Sequence, residues 1–133
     1  MIKKSFNSAK SKRKLDKMFS QFILGRDNRI CLRCGRVDGK HDCSHIIPRE
    51  ILKLRWDKRN ATCLCFRCHK LIFHKNPLLI TKWLQSYIGN ELCDQLLTES
   101  TIPYEFNEAE YTRIKTELEL KNPNNIIKPT KSI

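Results

Sequence analysis

Cysteine recurs as Cys-x-x-Cys at Cys31/Cys34, within ICLRCGR, and again at Cys65/Cys68, within CLCFRCHK. Two thiolates three residues apart can grip one ion while the intervening amides bond to sulfur, and two such pairs supply four soft ligands in a closed tetrahedral set. That donor set selects zinc over magnesium, and with no open coordination position it predicts a structural Zn²⁺ rather than a reaction centre. Cys43, Cys63 and Cys93 are left over; each reads as a buried small hydrophobe, with Cys63 able to exchange with Cys65 in the metal set. Cys65-x-x-Cys68-His69 also spells the c-type haem attachment pattern, but haem would leave Cys31 and Cys34 without a role.

Seven cysteines in a lysine-rich chain do not read as a disulfide scaffold, so a reducing, cytoplasmic setting is expected. The N-terminal MIKKSFNSAKSKRK is charged like a signal peptide, but the apolar run behind it, FSQFILG, is broken by Ser20 and Gln21. No stretch approaches the ~20 apolar residues of a membrane span. The 133 residues carry 26 Lys plus Arg against 14 Asp plus Glu, a net charge of +12, which calls for a polyanionic partner, nucleic acid first. Residues 1–40 hold 12 basic and 3 acidic side chains and residues 41–75 hold 8 and 3, whereas 76–133 hold 6 and 8. The first 75 residues should therefore face the phosphates.

With the cysteines assigned to zinc, His41, His45, His69 and His74 remain. The layout SHIIP, then Asn60, then LCFRCH resembles the HNH (ββα-metal, or His-Me finger) endonucleases, over about residues 31–75. In that family a histidine three residues before a proline is followed by an asparagine and then by a Cys-x-x-Cys-His running into a helix. Here these are His45, Pro48, Asn60, Cys65, Cys68 and His69. The wording of CSHIIPRE and LRWDKRNATCLCFRCH is most similar to phage-type recombination nucleases of the NinG/Rap kind, and the following NPLLITKWLQSYIGNELCDQL to the helical extensions seen there. The four-cysteine site also resembles that of the phage endonuclease VII type, in which a metal-binding side chain directly follows the last cysteine.

The resemblance implies an α+β fold with a zinc-supported ββα-metal core, flanking helices, and metal-dependent hydrolysis of DNA phosphodiester bonds. The chemistry is consistent with the residues. A water must be deprotonated near neutral pH, for which a neutral imidazole is suited. A hard cation must also neutralise charge on the scissile phosphate and the departing 3′ oxygen. His45 is expected as the base, His69 as ligand to a catalytic Mg²⁺, Mn²⁺ or Ni²⁺, and Asn60 as the clamp on the His45 loop. Many family members place an aspartate just before the catalytic histidine, where this chain has Ser44. The second ligand is thus left open between Ser44, Asp42 and His74, Asp42 sharing a strand face with Ser44. Arg49, Lys53, Arg55, Lys58, Arg59 and Arg67 are the expected phosphate contacts. A non-catalytic zinc-knuckle DNA-binding module would share the cysteines and the basic surface but not need His45, Asn60 and His69; an RNA-cutting enzyme would share everything. Duplex or branched DNA is the expected substrate, nicked by one site or broken by a two-fold dimer, in the cytoplasm of the cell or of a host if the chain is phage-encoded.

The elements that must position these residues follow from periodicity. Leu15, Met18, Phe19, Phe22 and Ile23 predict a basic amphipathic helix over 10–24, stopped by Gly25. HDCSHII and NATCLC predict two short strands joined by a long basic connector after the VDGK turn. A helix follows to about residue 75, where Asn76-Pro77 interrupts; LLITKWLQSYI closed by Gly89, ELCDQLL, and a last helix capped by Asn107 with Tyr111, Ile114 and Leu118 on one face complete the chain. This divides it into a basic N-terminal helix and arm (1–29), a zinc-knuckle core (30–75), a helical extension (76–121) and a loose tail (122–133), with Trp56 as a core anchor.

Overall fold

The computed structural model describes residues 5–120; the tail expected over 122–133 lies outside them. Helix α1 (Ser8–Arg26) is longer than its apolar stripe suggests, because Asn7 caps it by accepting from the Lys10 amide (3.0 Å). Leu15, Phe19, Phe22 and Ile23 are its buried face. Gly25 does not stop the helix but sits inside its last turn. The chain reverses instead at Asn28 and Arg29, both left-handed (φ 56° and 54°), a conformation not signalled by a glycine in the sequence.

Strands β1 (His41–His45) and β2 (Ala61–Cys65) pair antiparallel, with His41 opposite Cys65, Cys43 opposite Cys63 and His45 opposite Ala61. Strand β1 is shorter than HDCSHII; Ile46 still donates its amide to the Asn60 carbonyl before the chain turns away toward Pro48. The connector contains a short helix that periodicity does not reveal, α2 (Leu52–Arg55), which buries Leu54, and a 3₁₀ turn at Lys58–Asn60. After β2 the backbone winds as a π-helical segment (Arg67–Phe73), a rare, wide geometry. Asn76 then caps α3 (Pro77–Ile88) through the Leu79 amide, with Pro77 in the first turn where its missing N–H costs nothing. Gly89, at φ 90°, makes the corner into α4 (Asn90–Glu99). Asn107 accepts from the Glu110 amide (3.0 Å) at the start of α5 (Glu108–Leu120).

Two apolar centres result. In one, α1 packs on α5, Trp56 and Ala61; in the other, Leu64, Cys31, Cys65, Cys68 and Phe73 meet Ile80 and Trp83 of the extension. At the C-terminal end of α1 the joint with the sheet is polar. Arg26 donates to the Lys58 and Ala61 carbonyls (both 2.8 Å) and grips Asp27, which also accepts the Cys63 amide at 3.0 Å. The ion pair is buried and both partners are hydrogen-bonded, the condition under which such a pair is tolerated inside a protein. The fold is thus α+β, with a two-stranded sheet flanked by helices.

Candidate active site and metal centre

The ligand atoms of Cys31, Cys34, Cys65 and Cys68 all lie within 4.8 Å of one another. Zn–S bonds of ~2.3 Å in a tetrahedron place sulfurs about 3.8 Å apart, and Cys34 Sγ is 3.8 Å from Cys65 Sγ. The spacing is about twice that of a disulfide, and the four thiols fit a tetrahedral metal ion such as zinc. Donors converge on two of the sulfurs. The Cys68 amide donates to Cys65 Sγ (3.4 Å), and Arg33 donates to Cys68 Sγ (3.6 Å) while its guanidinium covers the Phe73 ring. Burial raises the Cys31 pKa, but the amides of Cys65, Cys34 and Arg33 outweigh it and bring the value to about 7. Burial pushes Cys43 and Cys63 up to about 12 and does the same to Cys68 of the set, so position rather than pKa separates the four ligands from the rest. Cys65, not Cys63, joins the set.

At the far end of β1, His45 packs its ring on Phe19 of α1 (5.6 Å between centroids) and places Nε2 2.8 Å from the Arg55 carbonyl oxygen. A carbonyl only accepts, so Nε2 carries the proton and Nδ1 keeps a free lone pair. Burial lowers the His45 pKa below its ordinary value of 6.5, partly opposed by the Arg55 carbonyl and reinforced by the Arg49 charge. The result is a neutral imidazole in one tautomer.

Asn60 is fully buried and spends its amide on the loop that carries His45. It donates to the Ile47 and Leu54 carbonyls (3.1 and 2.9 Å) and accepts from the Ile47 amide (2.7 Å). Two carbonyls on one side and an N–H on the other fix which end is nitrogen. Asn60→Asp, almost the same shape, replaces two donors by an oxygen facing two carbonyls; we expect it to destabilise the chain by about 3 kcal/mol in denaturant titration, and a loss under ~1 kcal/mol would remove the clamp role.

His69 donates Nδ1–H to Asp42 Oδ2 (3.0 Å) across the two chain segments. This leaves Nε2 of His69 as the nitrogen that could ligate a metal, its ring oriented by a carboxylate as metal-binding histidines commonly are. The His74 ring stands edge-on to His69 at 5.7 Å, and Ser44 is buried on the same strand face as Asp42. His45, His69 and His74 lie between two hollows. The larger, about 860 Å³, is walled by α1 through Asp16, Lys17 and Ser20 and rimmed by Lys40, Arg49 and Lys70; the smaller, about 330 Å³, includes Ser44 and Ile80. One cleft thus gathers a neutral imidazole, an oriented nitrogen that could ligate a metal, and a mixed rim on which Lys17, Lys40, Arg49 and Lys70 face Asp16, Asp42 and Glu50.

The expected phosphate contacts divide. Arg49 lies on the cleft rim, and Arg67 is exposed at the start of the π-helical segment, two positions before His69. Arg55 is turned inward, held by Asp16 at 2.6 and 2.9 Å, and Arg59 is bound between Asp57 and Glu99. Lys58 lies over the Phe22 ring and Lys53 over Tyr104. His41, at the mouth of the turn, faces the Gly39 and Arg36 carbonyls with its two ring nitrogens.

The residue that sequence reading missed is Asp16. It accepts from Arg55, from Arg49 (2.8 Å) and from Trp56 Nε1 (2.9 Å), so one carboxylate of α1 fixes the segment whose Arg55 carbonyl sets the His45 tautomer. Those bonds lower its pKa despite partial burial. A lone acid in a lysine-rich helix gives no signal of this. Comparison with known protein families, with curated proteins and with solved structures finds no match to this chain.

Proposed function

We propose that this chain is a metal-dependent endonuclease of the HNH, or ββα-metal, type that hydrolyses DNA phosphodiester bonds, with a structural Zn²⁺ on Cys31, Cys34, Cys65 and Cys68. The observation that carries the reading is the joint placement of His45, proton on Nε2 and lone pair on Nδ1, and the Asp42–His69 pair on one cleft. A module that only bound DNA would have no use for a half-buried imidazole held in one tautomer.

His45 Nδ1 takes a proton from a water as the oxygen forms its bond to phosphorus and the bond to the 3′ oxygen breaks. Arg55, through its carbonyl, steadies the imidazolium that results, and Asn60 keeps the loop from moving away. His69 Nε2, oriented by Asp42, would hold the catalytic cation, Mg²⁺, Mn²⁺ or Ni²⁺, with Ser44 and His74 nearby. When bound, that cation supplies charge neutralisation at the phosphate and leaving oxygen. The reducing cytoplasm of the cell, or of a host, keeps the thiols available for zinc. No helix among the described residues is long and apolar enough to cross a membrane.

The test is cleavage of supercoiled plasmid by the zinc-loaded chain with each of the three cations added and with none. Nicking or linearisation that needs the added cation supports the reading; a chain that shifts plasmid and branched DNA in gels yet cuts neither would leave only the binding module. The pH profile gives a second check. The base works when unprotonated, and burial places its pKa below 6.5. Cleavage should therefore climb with an acid-limb midpoint below 6.5 and stay flat through neutrality; a midpoint well above 6.5 counts against His45.

A further inference from the structure

Most arginines of this chain are spent internally. Arg26, Arg55, Arg59 and Arg113 are each paired with an acid of the fold. Four cations of α1 are not. Lys10, Arg13, Lys14 and Lys17 are all exposed, and none enters an ion pair among the described residues. Their spacing, i, i+3, i+4 and i+7, sets them in one stripe opposite the buried Leu15, Phe19, Phe22 and Ile23.

The stripe is costly to the helix that carries it. There is no acidic residue in the first turn, and Lys10, Arg13 and Lys14 crowd the end where the helix dipole is already positive. Stability alone would place acids there. The stripe is also continuous with the cleft, because Lys17, Asp16 and Ser20 form the α1 wall of the hollow that holds His45 and His69, and Asp16 holds Arg49 at the same rim. From Lys10 to Lys17 it runs about 10 Å along the axis, the rise covered by about three phosphates of one strand.

We propose that this stripe is a docking surface for the backbone of duplex DNA flanking the scissile phosphate, carrying the substrate out of the cleft along α1. The inference rests on the nuclease reading for the position of the scissile bond. Duplex is favoured over single strand because the stripe offers cations at fixed spacing on a rigid rod and no aromatic face for unpaired bases to stack on. Phe19 and Phe22 are buried, and Phe6 is occupied by Phe106 and Tyr111.

The experiment is fluorescence anisotropy of the zinc-loaded chain on a labelled duplex of about two turns, its single strand, and the same duplex as RNA, across a salt series without added divalent cation. The variant is Lys10→Gln, Arg13→Gln, Lys14→Gln and Lys17→Gln together, with Lys14→Gln/Lys17→Gln as a milder second. The fourfold variant should weaken duplex DNA binding at least ~10-fold and flatten the log K against log salt slope by about 3, the pair by nearly 2, at ~0.9 per phosphate released. Its thermal midpoint should hold or rise, since the dipole conflict is removed. An unchanged slope in both variants, an equal loss on the single strand, or tighter binding of duplex RNA with the same loss would each overturn the proposal. Because binding is read without cleavage, a chain that docks through the stripe and never cuts would uphold the surface and remove the nuclease reading alone.

Discussion

His45→Gln should lower metal-dependent plasmid cleavage by about 10²- to 10⁴-fold, the range for removing a positioned general base, and should leave DNA affinity within about twofold. Glutamine is the informative replacement because its amide can still donate to the Arg55 carbonyl where Nε2 of His45 does, so the loop keeps its anchor while the basic lone pair disappears. His45→Ala should lose the same activity and additionally some stability, since the ring's contact with Phe19 goes with it. The pair of variants thus separates chemistry from packing. Single-turnover cleavage on a defined duplex, with binding measured alongside, decides the matter: a His45→Gln chain that cuts within ~10-fold of the parent would take the base role away from this residue.

What could be read in the sequence was local. The two Cys-x-x-Cys pairs, the spacing of His45, Asn60 and His69, the break at Asn76-Pro77 and the cap at Asn107 are patterns within single stretches of chain, and the structure gathers the four thiols and builds the α+β frame around them. What could not be read was set by contacts between distant segments. Asp16 meets partners 33 to 40 positions away, so nothing near it in the chain announces a clamp. The same contact explains why Arg55, which looks like a phosphate ligand in a basic connector, faces inward. The sequence left Asp42, Ser44 and His74 open as companions of His69; register resolves the geometry, since the pleat puts Asp42 two residues from buried Ser44 on one face, where its carboxylate reaches the His69 ring. Gly25 misled for the opposite reason. Glycine permits a helix to end without requiring it, and here the capped turn runs on until Asn28 and Arg29 reverse the chain.

Cys68→Ser should be the most damaging single change to the fold. A structural zinc in small domains binds with about 10 to 16 kcal/mol of apparent free energy near pH 7, comparable to the whole stability of a domain, about 5 to 15 kcal/mol. Losing one thiolate opens the closed set and removes the acceptor through which Arg33 of the knuckle reaches the π-helical segment, within the apolar centre built on Cys31, Leu64, Cys65 and Phe73. The variant should carry no stoichiometric zinc and lose its cooperative melt, and a strong chelator should do the same to the parent chain. The loss should be uneven. Helices α1 and α5 pack in the other apolar centre, so part of the helical circular dichroism should survive while His69, next to Cys68, loses its place opposite Asp42. Cys93→Ser, outside the set, should bind zinc and melt like the parent. A Cys68→Ser chain that is zinc-free, melts cooperatively and still cuts DNA would show that the four thiols do not hold this fold together.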